Sequence, residues 1–369
     1  MKWNDEQKGA LKAVDKWYHE YAFSKNKTNQ VFRLFGYAGT GKTTLAKHFA
    51  GNLNETAYGA FTGKASLVMR KNGCVGARTI HSLIYLAEQD EKTGNIYFHL
   101  NKHSPLREVD LVIIDECSMV DEDLAKDLLS FRKPVLVLGD PGQLPPVSGA
   151  GYFTSGKPDF MLTEIHRQAK DNPIIYLATQ ARNGIMPDFG EYDESRVVDK
   201  MLKKDVLEAD QLLVGRNVTR TDMNTKIRKM KGLNPDTPVP GDRIICLQND
   251  KDLNIFNGGI FDIDQILSQK YKTNFLHLAV RSQDEDRPVF MVKVHKSFFI
   301  DDVPKPDWKV LKGSQQFDYS YAITTHKSQG SQWETVTIMD ESWCFREDRW
   351  RWLYTAITRA SEKVTIVRN

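Results

Sequence analysis

The stretch "VFRLFGYAGTGKTTLAKHFAGNL", residues 31–53, decides the fold. Its apolar start predicts a buried strand, its glycines predict a tight loop, and the periodic apolar residues that follow predict a helix. Residues Gly36 to Thr44 match the pattern G-x-x-x-x-G-K-[ST], which requires a strand before it and a helix after it. The sequence therefore predicts a phosphate-binding loop within an α/β protein.

This loop has the residue types that binding a nucleoside triphosphate requires. Glycine can adopt the dihedrals that turn successive N–H groups toward phosphate oxygens, and the N-terminus of the following helix adds positive potential. We expect Lys42 to reach the β- and γ-phosphates and the Thr43 hydroxyl to bind Mg²⁺. ATP and Mg²⁺ are therefore the predicted cofactors. The loop residues assigned to nucleotide binding are Gly36, Gly39, Thr40, Gly41, Lys42, Thr43 and Thr44.

Two further apolar runs end in residues suited to hydrolysis. "LVIIDECS", residues 111–118, reaches a strand end at Asp115, which we expect to hold Mg²⁺, and Glu116 beside it can orient and deprotonate the attacking water. "PVLVLGDPGQLPPVSG", residues 134–149, ends a strand in a proline-stiffened loop with a single amide, Gln143. We expect that amide to sense the γ-phosphate or its water. The glutamate favours hydrolysis over phosphoryl transfer to another substrate.

Composition excludes several classes of protein. The chain has 369 residues, of which 27% are charged and 40% hydrophobic, which is typical of a folded protein with two or three domains. The net charge of +3 neither requires nor excludes a polyanionic partner. Four widely spaced cysteines without a CxxC pattern argue against zinc and disulfides, and favour a reducing compartment. No apolar stretch approaches the length of a membrane span, so we expect a soluble protein.

The pattern along the chain predicts two kinds of region. Apolar runs that alternate with helical periodicity indicate a parallel sheet covered on both faces. From about 238 to 312 the chain changes to short β-rich segments separated by Asn, Gly and Pro, which favours a small inserted antiparallel barrel. Six basic residues between Arg216 and Lys231 are compatible with a solvated helix face and with a face that follows phosphates.

A series of motifs then carries a family resemblance. In order they are "NDEQKGAL", "GYAGTGKTT", "FTGKAS", "ARTIHSLIY", "IIDECSMV", "VLGDPGQLPPV", "LTEIHRQ", "THKSQGSQWETV" and "LYTAITRA". Together they resemble the motif set of superfamily 1 helicases, and most closely the B-type, 5′-to-3′ branch that includes RecD-like and phage Dda-like enzymes. The resemblance extends from Asn4 to Ala360 and implies an ATP-dependent DNA helicase that translocates on single-stranded DNA and unwinds duplex.

The resemblance also implies an architecture. Two RecA-like P-loop NTPase lobes with parallel sheets are expected, lobe 1A at residues 1–82 and 107–165 and lobe 2A at 166–236 and 313–369. A β-hairpin, called 1B or the pin, is expected at 83–106, and an inserted SH3-like β-barrel, called 2B, at 237–312. Single-stranded DNA would run across both lobes while they close on ATP.

Further site residues follow from the resemblance. Arg167 and Arg359 would neutralise charge on the γ-phosphate, with Tyr354 supporting the second, and the Gln7 amide would pair with adenine. Gly330 belongs to the loop that touches the nucleotide, where Gln332 departs from the acid common in relatives. Taken singly, such residues also suit ordinary cap, loop or surface positions. The implied DNA contacts are Thr62, Gly63, Lys64, Thr79, His81, the pin aromatic Phe98, Pro145, Thr325, His326, Lys327 and Ser328.

Alternatives to unwinding remain at this point. One is a single-strand-stimulated ATPase that displaces proteins but unwinds weakly, and another is a nucleic-acid scaffold that uses ATP as a switch. The expected partners are single-stranded and forked DNA, with replication or recombination proteins such as a single-strand-binding protein and without a membrane. RNA as a track stays open. We expect a monomer in the cytoplasm of a bacterial cell or a phage-infected host.

Overall fold

The computed structural model describes residues 3–24, 28–89, 96–145, 151–164, 172–250, 252–267, 273–284, 287–301 and 303–368. The chain divides into two compact units. The first contains Met1–Phe61 and Ala65–Arg182, and the second contains Thr62–Lys64 and Asn183–Asn369. Among the described helices, none has the length and apolar character needed to cross a membrane.

The first unit is an α/β domain around a parallel sheet. Its strands are β1 Val31–Gly36, β2 Thr56–Ala60, β3 Arg78–Thr79, β4 Tyr85–Gln89, β5 Ile96–Leu100, β6 Leu111–Asp115, β7 Val135–Gly139 and β8 Phe160–Leu162. Six of them form the sheet in the order β3-β2-β6-β7-β1-β8, with every neighbouring pair parallel. β4 and β5 pair antiparallel at the position predicted for a hairpin.

Helices cover both faces of this sheet, as the alternating pattern predicts. They are α1 Asp5–Phe23, α2 Lys42–Ala50, α3 Gly63–Lys71, α4 Ile80–Ile84, α5 Glu122–Leu129 and α6 Pro173–Arg182. Apolar residues of α1 and α2 pack on one face, and those of α4 and α5 pack on the other. α1 begins with a reciprocal capping box between Asn4 and Gln7, which satisfies two backbone donors at its first turn.

The second unit contains a mixed sheet with its own helices. The strands are β9 Gly190–Tyr192, β10 Ser195–Val198, β11 Gln211–Val214, β17 Ala322–Thr324, β18 Trp333–Met339 and β19 Ala360–Val367, and the helices are α7 Lys203–Leu207, α8 Asn217–Met230, α9 Trp308–Leu311 and α10 Arg349–Ile357. The sheet order is β17-β11-β18-β19-β10-β9, and only the β9–β10 pair is antiparallel among these described strands.

A second, antiparallel sheet is inserted between α8 and β17. Its strands are β12 Arg243–Cys246, β13 Ile260–Leu267, β14 Phe275–Ser282, β15 Phe290–His295 and β16 Phe317–Tyr319. They are ordered β15-β14-β13-β12-β16. The fifth strand therefore lies beyond residue 312, the predicted end of the insert. Apolar side chains of this sheet share one core with α8, β11 and β17.

Most basic residues of the run around α8 interact with other residues of the same chain. Five of its six basic residues have a partner: Arg216 pairs with Glu341, Arg220 with Asp318, Lys226 with Asp222 and Arg228 with Asp242, while Lys231 lies over the ring of Tyr321. These contacts favour a structural interpretation of the run over a phosphate-following face.

The Arg228–Asp242 pair is fully buried and joins α8 to the inserted sheet. The hydroxyl of Tyr321 donates to the same carboxylate at 2.7 Å. Breaking a buried pair leaves an uncompensated charge, so Arg228→Met should lower the free energy of unfolding by about 3–5 kcal/mol. Urea unfolding followed by circular dichroism measures this loss.

Lys226→Met on the same helix is the matched control, because it breaks an exposed ion pair and should cost less than about 1 kcal/mol. Equal losses in the two variants would contradict the structural importance of the buried pair.

Candidate nucleotide site and nucleic-acid interface

The phosphate-binding loop connects the end of β1 to the start of α2. Gly39 and Gly41 have φ of 78° and 86°, in the left-handed region that favours glycine. Gly36 is required for a different reason, since a Cβ there would lie 2.6 Å from Thr40 Oγ1 and 2.8 Å from Leu162 Cβ. The glycine spacing of the motif thus follows from backbone conformation at two positions and from close packing at the third.

Two side chains of the loop lie where a triphosphate and its cation would bind. The Lys42 ammonium donates to the carbonyl oxygens of Gly36 at 2.7 Å and Tyr37 at 3.1 Å, so the cation sits within the curve of the loop. The Thr43 hydroxyl donates to Asp115 Oδ2 at 2.8 Å. That contact joins the first turn of α2 to the carboxyl end of β6.

The Thr43 hydroxyl and the Asp115 carboxylate are hard oxygen ligands of the kind that Mg²⁺ prefers. Clusters of three or more His, Cys, Asp or Glu suited to a metal ion do not occur in the described part of the chain. A site with so few protein ligands fits Mg²⁺, which is usually held by one or two side chains together with phosphate oxygens and water.

Glu116 has an unusual backbone conformation next to this pair. Its φ of 51° lies in the left-handed region, and its N–H donates to Asp115 Oδ1 at 2.8 Å. A non-glycine residue in this region costs about 1–3 kcal/mol and tends to mark functional sites. The backbone therefore changes conformation at Glu116, directly after β6 ends at Asp115.

Gln143 follows the neighbouring strand β7 and is only 8% exposed. Its side-chain oxygen has no hydrogen-bond partner among the described residues. Asp140 organises the start of this loop, because Gln143 N–H donates to the Asp140 carbonyl oxygen and Gly142 N–H donates to the Asp140 side-chain Oδ1. A buried amide oxygen without a partner carries a cost in stability, which a ligand can offset. Pro145 lies at the end of this described stretch.

Gln7 is buried beneath the phosphate-binding loop, with 1% of its surface exposed. Its amide nitrogen donates to Thr40 O at 3.1 Å, and its oxygen accepts from Asn4 N–H at 3.2 Å. The hydrogen bond from Gln7 to Thr40 O supports the backbone of the phosphate-binding loop. Recognition of adenine by this residue stays a prediction.

Sequence reasoning missed two features of the same region. The Glu6 carboxylate accepts hydrogen bonds from Thr163 N–H, Thr163 Oγ1 and Glu164 N–H. These two residues lie four and three positions before the predicted arginine finger Arg167. Arg167 itself lies outside the described residues. The Arg182 guanidinium lies 3.6 Å from the ring centre of Tyr37 in the phosphate-binding loop. Both contacts join positions distant in sequence, and no local pattern indicates them.

Three predicted DNA contacts of the first unit lie around α4. The Thr79 hydroxyl caps this helix by accepting from Ser82 N–H. The His81 ring lies 5.8 Å from that of Phe98, and both lie 5.7 Å from Tyr85. Burial lowers the pKa of His81, which favours the neutral form of the ring. Phe98 is 53% exposed, and its ring lies on the face of the β4–β5 pair that contacts Tyr85.

The "FTGKAS" segment is more enclosed than a DNA-contacting loop was expected to be. Thr62–Lys64 group with the second unit, where the Lys64 ammonium lies 3.2 Å from the Asp284 carboxylate and 4.9 Å from the ring centre of Trp333. Gly63 has no room for a Cβ beside the Phe256 ring. An acid therefore neutralises Lys64, and its DNA contact remains a prediction.

The "THKSQGS" segment, residues 325–331, follows β17 in the second unit. Thr325 is fully buried and donates from N–H to Val214 O on β11 at 2.9 Å, while Ser328 Oγ donates to Thr325 O. The His326 ring packs on Phe345 at 5.4 Å, and burial lowers its pKa. Lys327 is exposed, so it is the residue of this segment best placed to meet a phosphate.

Arg359 is held against the same segment. Its guanidinium donates from Nε to Thr355 O at 3.0 Å, from Nη1 to Ser331 O at 3.1 Å and from Nη2 to Thr358 Oγ1 at 3.2 Å. Gly330, next to Ser331, has φ of 74°. The structure thus brings two predicted nucleotide-site residues of the second unit together. Tyr354 is buried in the core of this unit.

Two family models match successive parts of the chain. The model of the AAA domain family matches residues 20–201, and that of the UvrD-like helicase C-terminal domain matches residues 319–367. The ATP-dependent RecD2 DNA helicase of Deinococcus radiodurans is 29% identical over 373 residues, covering 89% of this chain and 46% of that protein. The ATP-dependent DNA helicase dda of Enterobacteria phage T4 is 32% identical over 191 residues, covering 47% and 41%.

The Pif1 helicase of Candida albicans has the same fold, with a TM-score of 0.60 at 19% identity over 100% of this chain and 94% of that one. The family models therefore support an AAA domain followed by a UvrD-like helicase C-terminal domain. The sequence similarity to RecD2 and Dda confirms the resemblance to RecD-like and Dda-like proteins carried by the motifs. The chain spans less than half the length of these curated relatives.

The contacts of Gln7 give a prediction about base selectivity. Gln7→Ala removes a support of the loop that is independent of the base, so the KM values for ATP and GTP should both rise by about tenfold. Steady-state hydrolysis assays measure the two constants. Lys8→Ala, at the exposed neighbouring position, should leave both unchanged. A rise for ATP alone would contradict the support role and favour direct reading of adenine.

The unpartnered oxygen of Gln143 gives a second prediction. Gln143→Met keeps the side-chain length but removes a buried polar group without a partner, so the melting temperature should stay equal or rise. The kcat for ATP hydrolysis should fall by about 100-fold, the usual loss when an oriented polar group is removed from a reacting centre. Leu144→Met at the adjacent buried position should change neither quantity. Lower stability with normal kcat would show that the amide is structural.

Proposed function

We propose that the chain is an ATP-dependent DNA helicase that translocates 5′ to 3′ on single-stranded DNA and unwinds duplex. The observation that carries this proposal is the contact between Thr43 and Asp115 at the edge of the first sheet, with Lys42 and Glu116 adjacent in sequence. The relatives RecD2 and Dda are ATP-dependent DNA helicases, and this supports the choice of activity and substrate.

The chain's own residues would divide the work of hydrolysis. Lys42 would exchange its loop carbonyls for phosphate oxygens, and Thr43 and Asp115 would hold Mg²⁺, whose charge, when bound, stabilises the phosphates. Glu116 would accept a proton from the attacking water, a contribution worth about 10²–10⁴ in rate for a positioned base. Gln143 would use its free oxygen to orient that water.

Two arginines would complete the site in this proposal. Arg359 would leave the carbonyls of Thr355 and Ser331 and approach the γ-phosphate, and Arg167 would act beside it. The hydrogen bonds of Arg359 to these two peptide oxygens give its guanidinium a defined starting position, which supports the proposed movement. Hydrolysis then depends on the second unit as well as on the first.

The DNA track would use both units. We assign it to Thr79, His81, Phe98 and Pro145 in the first unit, and to Thr62, Gly63, Lys64, Thr325, His326 and Lys327 in the second. The β4–β5 pair would be the 1B pin and the inserted antiparallel sheet the SH3-like 2B domain, with the predicted lobe boundaries otherwise kept. The two units would bind the DNA strand in alternation during the ATP cycle, so that each conformational change moves the protein along the strand.

A second candidate function is a single-strand-stimulated ATPase that displaces proteins and unwinds weakly. One observation favours it, because Phe98 packs on Tyr85 and His81 as well as facing solvent. An aromatic residue engaged in this way is less free to separate base pairs than an isolated one.

The proposal is tested with two matched partial duplexes, one with a 5′ single-stranded tail and one with a 3′ tail. Unwinding that requires ATP should occur only on the 5′-tailed substrate, and Glu116→Gln, which removes the general base, should slow it by at least about 100-fold. Gel separation of the released strand measures both rates.

The other outcomes separate the alternatives. Preference for the 3′ tail would contradict the B-type polarity while keeping the motor. ATP hydrolysis stimulated by single strands without unwinding would establish the translocase instead, and hydrolysis that ignores nucleic acid would reject both.

A further inference from the structure

A row of aromatic rings connects the 325–331 segment to α10. The ring centres of His326 and Phe345 are 5.4 Å apart, and those of Phe345 and Trp352 are 5.6 Å apart with their planes within 14° of parallel. Trp352 is completely buried on α10, and its indole nitrogen has no hydrogen-bond partner among the described residues. Packing alone therefore fixes this ring.

Phe345 is held on a third side by the end of β11. A Cβ on Gly215 would lie 3.0 Å from Phe345 Cε2, so the ring occupies the space that a larger residue at 215 would fill. Phe345 is thus wedged between three elements: the segment after β17, the turn after β11, and α10. Closely packed groups of this kind have few alternative arrangements and transmit displacement.

α10 in turn controls the position of Arg359. The helix ends at Ile357, and the Arg359 guanidinium donates to Thr355 O in its last turn. The same guanidinium donates to Ser331 O in the 325–331 segment. Arg359 is therefore joined to this segment by two routes, one through Ser331 directly and one through Phe345, Trp352 and α10.

We infer that Phe345 is a positioning residue that couples DNA contact at the 325–331 segment to the placement of Arg359. The inference rests on the proposed function, in which Lys327 and its neighbours meet a DNA phosphate and Arg359 serves the γ-phosphate. A phosphate drawn to this segment displaces His326, and the ring row carries that displacement to α10 while the Ser331 contact loosens. DNA thereby prepares the arginine for hydrolysis.

The test compares ATP hydrolysis with and without oligo(dT) in the full chain. Phe345→Leu keeps apolar volume but removes the ring, and it should lower the DNA-stimulated kcat by about 3- to 30-fold, the range of coupling changes carried by packed networks. Hydrolysis without DNA, KM for ATP and the Kd for oligo(dT) should stay at wild-type values. Phe345→Tyr, which restores the ring, should recover stimulation.

Trp343→Leu is the matched control. Trp343 is an aromatic residue of the same turn and is 63% exposed, and among the described residues its ring lies against the Arg216 guanidinium rather than against His326 or Trp352. It should keep full stimulation. Thermal unfolding of all variants excludes a general loss of folding as the cause.

Four results would overturn the inference. They are normal stimulation in Phe345→Leu, equal loss in Phe345→Leu and Trp343→Leu, no recovery in Phe345→Tyr, and a weaker Kd for oligo(dT) that accounts for the whole loss. Absence of stimulation in the wild-type protein is a different result, because it would reject the proposed DNA-dependent motor and the inference together.

Discussion

The hydrogen bond between Thr43 and Asp115 links the two halves of the candidate nucleotide site. It exists because β1, β6 and β7 are parallel neighbours, so that their carboxyl ends and the residues after them lie along one edge of the sheet. The phosphate-binding loop follows β1, the acid pair ends β6, and the Gln143 loop follows β7. An antiparallel strand among these three would remove one group from the site.

The second unit applies the same constraint to different residues. β17, β11 and β18 are parallel neighbours, and the 325–331 segment, Gly215 and the turn that carries Phe345 follow their carboxyl ends. Contacts between loops that are distant in sequence therefore become short in space. The inserted sheet shares a core with α8, and the buried Arg228–Asp242 pair fixes it there.

The sequence was most informative where a motif constrains its own backbone. Gly39 and Gly41 have left-handed dihedrals, and the short apolar run before Asp115 favours a buried strand, so the loop, the sheet and the acid pair could be predicted from local pattern. Motif order then indicated the family. Side-chain partners could not be predicted in the same way, because they come from distant segments. Gln7 supports Thr40, Asp284 neutralises Lys64, and Phe345 covers His326.

In the proposed function, the first unit holds the nucleotide and Arg359 of the second unit helps to hydrolyse it. The most direct measurement is the rate of ATP hydrolysis by Arg359→Ala at saturating single-stranded DNA, with binding of a fluorescent ATP analogue measured on the same samples. We expect normal analogue binding and a rate reduced by about 10³-fold or more, as for other arginines that act on a γ-phosphate. Hydrolysis at the wild-type rate would contradict it.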